Sequence, residues 1–141
     1  MNAVHAEASP PPHEIRYEQH TGFIYLVTKG VIDARGAAFI LAFCEAHVPP
    51  DEPLFFIGDG RKATGMDAEA RTVMANLAAR RPVYFSGFGA PLPMRVLTTL
   101  VLRAVSLVSN RLIGNFASNE EEARAWLTEK RRAYLAGKGS T

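Results

Sequence analysis

The chain has 141 residues, a length typical of a single domain. Charged residues make up 21% of it and its formal net charge is +2, so the charge balance does not point to a nucleic-acid partner. The single cysteine, Cys44, excludes a disulfide within the chain, and its position in an apolar run indicates a buried thiol.

The two ends of the chain differ in composition from the rest. Residues 1–13 are rich in alanine and proline, with no basic start and no continuous apolar stretch. This predicts a disordered tail rather than a secretory signal, and the cytoplasm is then the default compartment. Residues 137–141 have nothing to bury and predict a second disordered tail. We therefore expect one domain over residues 14–136.

The ordered part opens with two strand-like runs, Glu14–His20 and Phe23–Lys29, which a Thr-Gly pair joins into a hairpin. Asp33 is then in position to cap a first helix. This helix is expected to reach about His47, because two prolines follow shortly after it.

The central part of the chain predicts a buried strand, a loop and a second helix. Leu54–Gly58 is almost entirely apolar, as in a strand buried on both faces at the centre of a sheet. We expect Asp59–Met66 to be a loop and Asp67 to cap the second helix. Apolar residues recur in this helix at i, i+3, i+4, i+7 and i+8, namely Ala70, Val73, Met74, Leu77 and Ala78.

Two more strands and two more helices follow. Val83–Gly87 and Leu112–Phe116 are predicted strands, and prolines announce a third helix that ends near Asn110. Ser118 and Glu121 form a predicted capping box for the last helix. Its expected apolar side comprises Ala123, Trp126, Leu127 and Tyr134.

The third helix is apolar enough to raise the question of a membrane. A helical projection predicts an inner face of Leu97, Leu100, Val101, Ala104, Val105, Leu107 and Val108. Arg95, Thr98, Thr99, Arg103, Ser106 and Asn110 fall on the other face, together with Leu102. Because a spanning helix needs about 20 apolar residues without such charges, we predict packing on the sheet and no stable membrane insertion.

Charge is distributed unevenly along the chain. No acidic residue occurs between Ala70 and Asn119. Six arginines lie in that stretch: Arg71, Arg80, Arg81, Arg95, Arg103 and Arg111. They either are scattered over solvated faces or form a surface for an anionic partner.

Three segments resemble a known family. They are Gly30-Val31-Ile32-Asp33, the stretch from Asp59 to Asp67, and the stretch from Phe116 to Leu127, in which an acidic cap leads to Ala-x-x-Trp-Leu. Together they resemble the STAS domain of bacterial anti-sigma-factor antagonists, in particular its SpoIIAA-like branch, which is related to the SEC14 lipid-binding group. The resemblance covers about residues 14–135. It implies an α/β fold in which an N-terminal hairpin and β-α repeats form a mixed five-stranded sheet with four helices.

The resemblance also shows what this chain lacks. In anti-sigma antagonists, an aspartate after the central strand begins a loop that reaches an Asp-Ser pair, and phosphorylation of that serine switches partner binding. Asp59 and Asp67 match the two aspartates, but Ala68 occupies the place of the serine. The resemblance therefore implies the fold and an interaction surface without this switch, although Thr64 and Ser86 are conceivable acceptors.

Catalysis would require a base beside a nucleophile, or clustered metal ligands. The four histidines are dispersed, and none has the i, i+4 spacing of a metal-binding pair. The glycine-rich segment after the central strand lacks the Lys-Ser/Thr pair and the spacing of a phosphate loop. We predict no enzymatic activity, cofactor or metal.

Binding is the better interpretation, because loops beyond the carboxyl ends of strands form functional surfaces in open α/β sheets. The predicted partner-binding residues are Asp59, Arg61, Lys62, Thr64, Met66, Asp67, Ala68, Arg95 and Arg103. We predict a regulatory protein–protein interaction module, whose partner is another protein or a second copy of the chain. The alternative is a SEC14-like carrier or sensor of a small apolar or anionic ligand, which would require a cavity of several hundred Å³.

Overall fold

The computed structural model describes residues 13–106 and 111–139. These residues form five strands and four helices. In chain order they are β1 (Glu14–Glu18), β2 (Phe23–Ile32), α1 (Ala34–His47), β3 (Leu54–Met66), α2 (Ala68–Arg80), β4 (Val83–Phe88), α3 (Leu92–Ser106), β5 (Leu112–Ala117) and α4 (Glu120–Gly139).

The strands form one mixed sheet in the order β1-β2-β3-β4-β5. The hairpin strands β1 and β2 are antiparallel, whereas β2, β3, β4 and β5 run parallel to one another. The predicted five-stranded mixed sheet with four helices is confirmed. The prediction that Leu54–Gly58 is its buried centre is also confirmed, because this part of β3 is buried on both faces.

The helices cover both faces of the sheet. The connections between the sequential parallel strands place α1, α2 and α3 on one face, where they bury Ile40, Leu77 and Val105 against the strands. Helix α4 covers the other face, where Ala123 and Leu127 are fully buried beside Phe23 and Phe55. As predicted, Trp126 and Tyr134 also pack there, partly buried.

Several predicted boundaries require correction. His13, assigned to the tail of residues 1–13, is buried, and its Nδ1 accepts a hydrogen bond from the backbone N–H of Lys29 (3.1 Å). Strand β1 ends at Glu18 rather than at His20. Helix α4 continues to Gly139, into the predicted tail of residues 137–141. Residues 1–12 and 140–141 lie outside the described part of the chain.

The cap of α4 is one residue later than predicted. Asn119 accepts the backbone N–H of Glu122 at 2.9 Å, and the Glu122 carboxylate reaches back to the N–H of Ser118 at 3.1 Å. Asn119 and Glu122 therefore cap the helix in place of the predicted pair Ser118 and Glu121, with the carboxylate bonding the residue before the N-cap instead of the N-cap itself. The caps predicted for the other two helices are confirmed, since Asp33 and Asp67 accept N–H groups at 2.8 and 2.9 Å.

Helix α3 packs on the sheet through a face that is rotated from the predicted one, although the predicted inward positions of Val101 and Val105 are confirmed. Thr98 and Leu102, both predicted to point outward, line the interior together with Met94, Val101 and Val105. Leu100, predicted to be inside, is 57% exposed, and Ala104 is exposed as well. The predicted inner residues Leu107 and Val108 lie outside the described residues.

Candidate functional site

The prediction that Asp59–Met66 is a loop is wrong, because these residues continue β3. Strand β3 pairs with β4 only as far as Asp59 and Phe88, but its pairing with β2 continues to Met66. Residues 60–66 of β3 and 29–32 of β2 therefore form a two-stranded ribbon beyond the carboxyl edge of the sheet. The pairing in this ribbon contains register shifts after Val27 and after Gly30, and Gly30 has a positive φ of 78°.

Asp59 lies at the base of this ribbon. The carboxylate is nearly buried and forms three hydrogen bonds with Arg61, from its backbone N–H (3.1 Å), Nε (3.0 Å) and Nη2 (2.7 Å). These bonds hold the pKa of Asp59 below its usual value. Asp59 is therefore an ionised group that orients Arg61, and it is unsuited to act as a general acid.

The ribbon exposes three of the nine predicted partner-binding residues. The Arg61 side chain is 68% exposed, and Lys62 and Thr64 are also exposed. Val31, on the neighbouring strand, is 52% exposed. Ala68 is exposed in the first turn of α2. The ribbon is thus a basic surface with an apolar residue among the charges.

Two of the predicted partner-binding residues, Met66 and Asp67, stabilise the fold of the domain. Met66 lines the interior of the domain, and its carbonyl oxygen accepts a hydrogen bond from Arg71 Nη1 at 2.8 Å. Asp67 caps α2 through the backbone N–H of Ala70. The structure therefore gathers Arg61, Lys62 and Thr64 on the ribbon, with Asp59 at its base and Asp67 and Ala68 at its end.

The ribbon also contacts the loop that leads into α3. A Cβ on Gly89 would be 2.4 Å from Arg61 Cγ, and Gly89 itself has a φ of 77°, which favours glycine. The Arg61 side chain therefore crosses directly over this loop. Arg95 and Arg103 are exposed on α3, so they belong to a second, neighbouring surface rather than to the ribbon.

Not all arginines of the acid-free stretch contribute to a basic surface. Arg81 is only 4% exposed, and its guanidinium donates to the carbonyl oxygens of Pro49 (2.7 Å) and Glu52 (2.9 and 2.5 Å). It fastens the α1–β3 loop to the end of α2. Arg80 forms an exposed ion pair with Glu45, with 3.6 Å between Nη1 and Oε2. The sequence could not separate these structural roles from binding roles.

An apolar cavity of about 120 Å³ lies between the sheet and helices α1–α3, directly below the ribbon. Met66, Met74 and Met94 form part of its wall, and no charged residue of the described chain lines it. Met66 and Ala63 bring the ribbon into contact with this cavity. The helical projection of α3 points Thr98 and Leu102 away from this cavity, so the sequence does not reveal it.

Glycines on the strands make room for one aromatic side chain of the cavity wall. A Cβ on Gly58 would be 2.7 Å from Phe85 Cε1, and one on Gly87 would be 2.9 Å from Phe85 Cζ. The Phe85 ring therefore lies flat over these two glycines, which pair with each other across β3 and β4. Larger residues at these positions would push the ring toward the cavity.

The opposite face of the sheet carries a charged network that the sequence did not reveal. Tyr25 is 6% exposed and donates a hydrogen bond to Glu120 at 2.9 Å. Burial, together with this bond to a carboxylate, raises the pKa of Tyr25 to about 12. Arg124 bonds both Glu120 and Glu18, and the Arg16 guanidinium stacks over the Tyr25 ring at 3.9 Å.

Across residues 13–106 and 111–139, no three His, Cys, Asp or Glu side chains form a group that could hold a metal ion. None of the helices in this part of the chain is both long and apolar enough to cross a bilayer.

Comparison with known proteins supports the fold. No protein-family model and no curated protein matches the sequence. The structure is similar to that of an uncharacterized protein of the DUF3478 family with a SpoIIAA-like fold from Shewanella loihica PV-4. The TM-score is 0.54 at 13% sequence identity, covering 80% of this chain and 89% of the other. The predicted SpoIIAA-like fold is confirmed, and at this identity the likeness concerns the fold alone.

Proposed function

We propose that the chain is a non-enzymatic regulatory module that binds a protein partner through the ribbon formed by residues 29–32 and 60–66. The observation that carries this proposal is the exposure of Arg61, Lys62 and Thr64 on a strand whose pairing with β2 continues to Met66. A surface of fixed geometry loses little conformational entropy on binding. The cytoplasm remains the expected compartment.

The charge arrangement favours recognition over catalysis. Asp59 is already saturated by Arg61, so its role in the ribbon is to hold the guanidinium in one orientation. An oriented arginine is a frequent determinant of binding at protein interfaces. Lys62 adds a second positive charge, which would steer an acidic partner surface toward the ribbon.

The proposal is tested by reversing these two charges. The double variant Arg61→Glu/Lys62→Glu is compared with Arg80→Glu/Arg132→Glu, which changes the net charge equally at exposed positions on α2 and α4. Partners captured from the native host are quantified by mass spectrometry, and the melting temperature of each variant is measured. We expect only the ribbon variant to lose its partner. Its melting temperature should also fall, because Arg61→Glu replaces the partner of the nearly buried Asp59 carboxylate by a second carboxylate. The control variant should keep its melting temperature, because solvated surface charges contribute little to folding.

Two results would contradict the proposal. The first is a ribbon variant that retains every partner of the wild type. The second is unfolding of the ribbon variant together with full partner binding by Lys62→Gln, which would show that Arg61 and Lys62 serve the fold. An intermediate substitution, Lys62→Gln, separates these outcomes because it leaves the Asp59–Arg61 pair intact.

The cavity favours a second candidate function, a sensor of a small apolar molecule. Its volume of about 120 Å³ is far below the roughly 300–1,000 Å³ of drug-sized ligand sites. It is close to the roughly 150 Å³ of an apolar cavity that accommodates benzene. A lipid carrier would need more space, and an anion would find no charged partner in the lining of the described residues. Because Ala63 and Met66 line the cavity, occupancy would be communicated to the ribbon.

Benzene is a suitable probe for this second candidate. Titration followed by amide NMR shifts should perturb Ala63, Met66 and Met94 first, and Ala63→Leu, which fills the cavity, should abolish the response. A benzene titration that leaves these amides unchanged would contradict a sensor role. The melting temperature of Ala63→Leu serves as the control for folding.

A further inference from the structure

The outer face of α3 carries two parallel ridges. Leu92, Val96 and Leu100 follow one another at i, i+4 and i+8 and are 63%, 52% and 57% exposed. The second ridge has the same spacing and consists of Arg95, Thr99 and Arg103, of which both arginines are exposed. The helix thus places an apolar line beside a cationic line.

The apolar ridge is not an extension of the core. The core contacts of α3 are made by Met94, Thr98, Val101, Leu102 and Val105, on the opposite side of the helix. Of the six large apolar side chains that are exposed in the described residues, three are on this ridge. Contiguous exposed apolar residues with a charged rim are typical of interaction sites.

The charge around the ridge restricts what can cover it. No acidic residue occurs in the sequence between Ala70 and Asn119, so α3 and β5 with their adjoining loops offer only positive charge. A symmetric contact between two copies would place Arg95 and Arg103 against the same arginines, and like charges in an interface are unfavourable. A partner with the opposite charge pattern is complementary.

We propose that the outer face of α3 binds an amphipathic helix of a protein partner, whose apolar side covers Leu92, Val96 and Leu100 and whose acidic side chains pair with Arg95 and Arg103. This inference rests on the proposed function and names the chemistry of the partner. The two arginines are eight positions apart, which is about 12 Å along a helix. Acidic residues seven or eight positions apart on the partner helix match that separation.

Three aliphatic side chains and two arginines form a poor anchor for a bilayer. Interfacial helices bind membranes with a wide apolar face, often containing aromatic residues, that enters the lipid. Here the face of α3 that contains Met94, Val101 and Val105 is already buried on the sheet. The remaining ridge has the i, i+4, i+8 spacing through which one helix packs against another.

The test uses two fluorescein-labelled helical peptides of 18 residues with the same leucine ridge. One carries two glutamates seven positions apart beside the leucines, and the other carries lysines at those positions. Binding is measured by fluorescence anisotropy with the wild type, with Arg95→Glu/Arg103→Glu, and with Val96→Asp. We expect the wild type to prefer the acidic peptide by about tenfold or more, as close charge pairs across interfaces permit.

The variants distinguish charge pairing from apolar contact. Arg95→Glu/Arg103→Glu should invert the preference toward the lysine peptide, and Val96→Asp should weaken both peptides. Arg80→Glu/Arg132→Glu should behave as the wild type. Circular dichroism confirms that each variant is folded, and the preference should fall in high salt because charges set it.

Several results would overturn the inference. They are equal affinity of the wild type for both peptides, no binding of either peptide, sedimentation with phosphatidylserine vesicles that Val96→Asp abolishes, or dimerisation of the chain that Val96→Asp abolishes. The experiments distinguish a failure of this inference about α3 from a failure of the proposed binding through the ribbon. A ribbon variant that loses its native partner while neither peptide binds would contradict only the inference about α3.

Discussion

The guanidinium of Arg124 on α4 holds the carboxylate of Glu18 on β1 through two hydrogen bonds, of 2.8 Å to Oε1 and 2.7 Å to Oε2. The Glu18 side chain is only 9% exposed, and Thr21 donates to the same carboxylate at 3.0 Å. The pair joins residues near the two ends of the fold and fixes the last helix on the first hairpin. Parallel, charge-assisted bonds of this kind are among the stronger polar contacts in proteins.

Arg124→Met should therefore destabilise the domain by about 2 kcal/mol at pH 7, because it leaves a nearly buried carboxylate without its main partner. The free energy of unfolding from urea denaturation measures this loss. Arg132→Met is a matched control, since Arg132 forms an exposed pair with Glu129 on the same helix and should contribute little.

The same pair predicts a pH dependence. The bonds from Arg124 are the largest cause that lowers the pKa of Glu18 in the folded state. The stabilisation is therefore fully present above the unfolded pKa of about 4.3 and is lost as the pH falls through the lower folded pKa. The difference between wild type and Arg124→Met should shrink from pH 7 to pH 3. A difference that stays constant over this range would show that the arginine acts through packing alone.

The register of α3 gives a second prediction with an internal control. Leu102→Ala should cost about 2 kcal/mol, because the side chain packs on the core and lines the cavity. Leu100→Ala should change stability by less than about 0.5 kcal/mol, because Leu100 is mostly exposed. The free energies of unfolding of the two variants, from thermal or urea denaturation, test this prediction. The reverse order of effects would restore the helix face that the sequence predicted.

The sequence misplaced this face for a physical reason. A helical projection orients the most apolar side inward, and α3 has apolar residues on more than one side. Leu92, Val96 and Leu100 are apolar yet exposed, whereas Thr98 points into the cavity. Where a helix has two apolar sides, only the packing partner selects one, and that partner is distant in sequence.

The elements with clear patterns were predicted well, and those governed by long-range contacts were not. The run Leu54–Gly58 and the caps Asp33 and Asp67 follow local rules, and the structure confirms them. The continuation of β3 to Met66 depends on pairing with β2, which no local pattern announces. The Glu18–Arg124 pair likewise joins residues 106 positions apart.

Cys44 provides a third prediction. The thiol is completely buried on α1, and burial raises its pKa to about 12. Because the thiolate is the reactive form, Cys44 should resist Ellman's reagent at pH 8 in the folded protein and react rapidly in urea. Prompt modification of the native protein would mean that α1 opens from the sheet far more readily than its packing indicates.

The fourth prediction concerns the place of the missing serine. Ala68 occupies the first turn of α2, directly after the Asp67 cap, and has no hydroxyl to receive phosphate. Thr64 carries the one hydroxyl between Asp59 and Glu69, and its neighbours Ala63 and Gly65 are paired with β2. A kinase would have to separate the two strands to draw this segment into its active site.

Phosphopeptide mapping of the protein from its native host should therefore find residues 59–69 unmodified, with Thr64→Ala as the control for site assignment. Stoichiometric phosphate on Thr64 would instead show that the ribbon opens, and that the switch is located on the strand rather than at the helix.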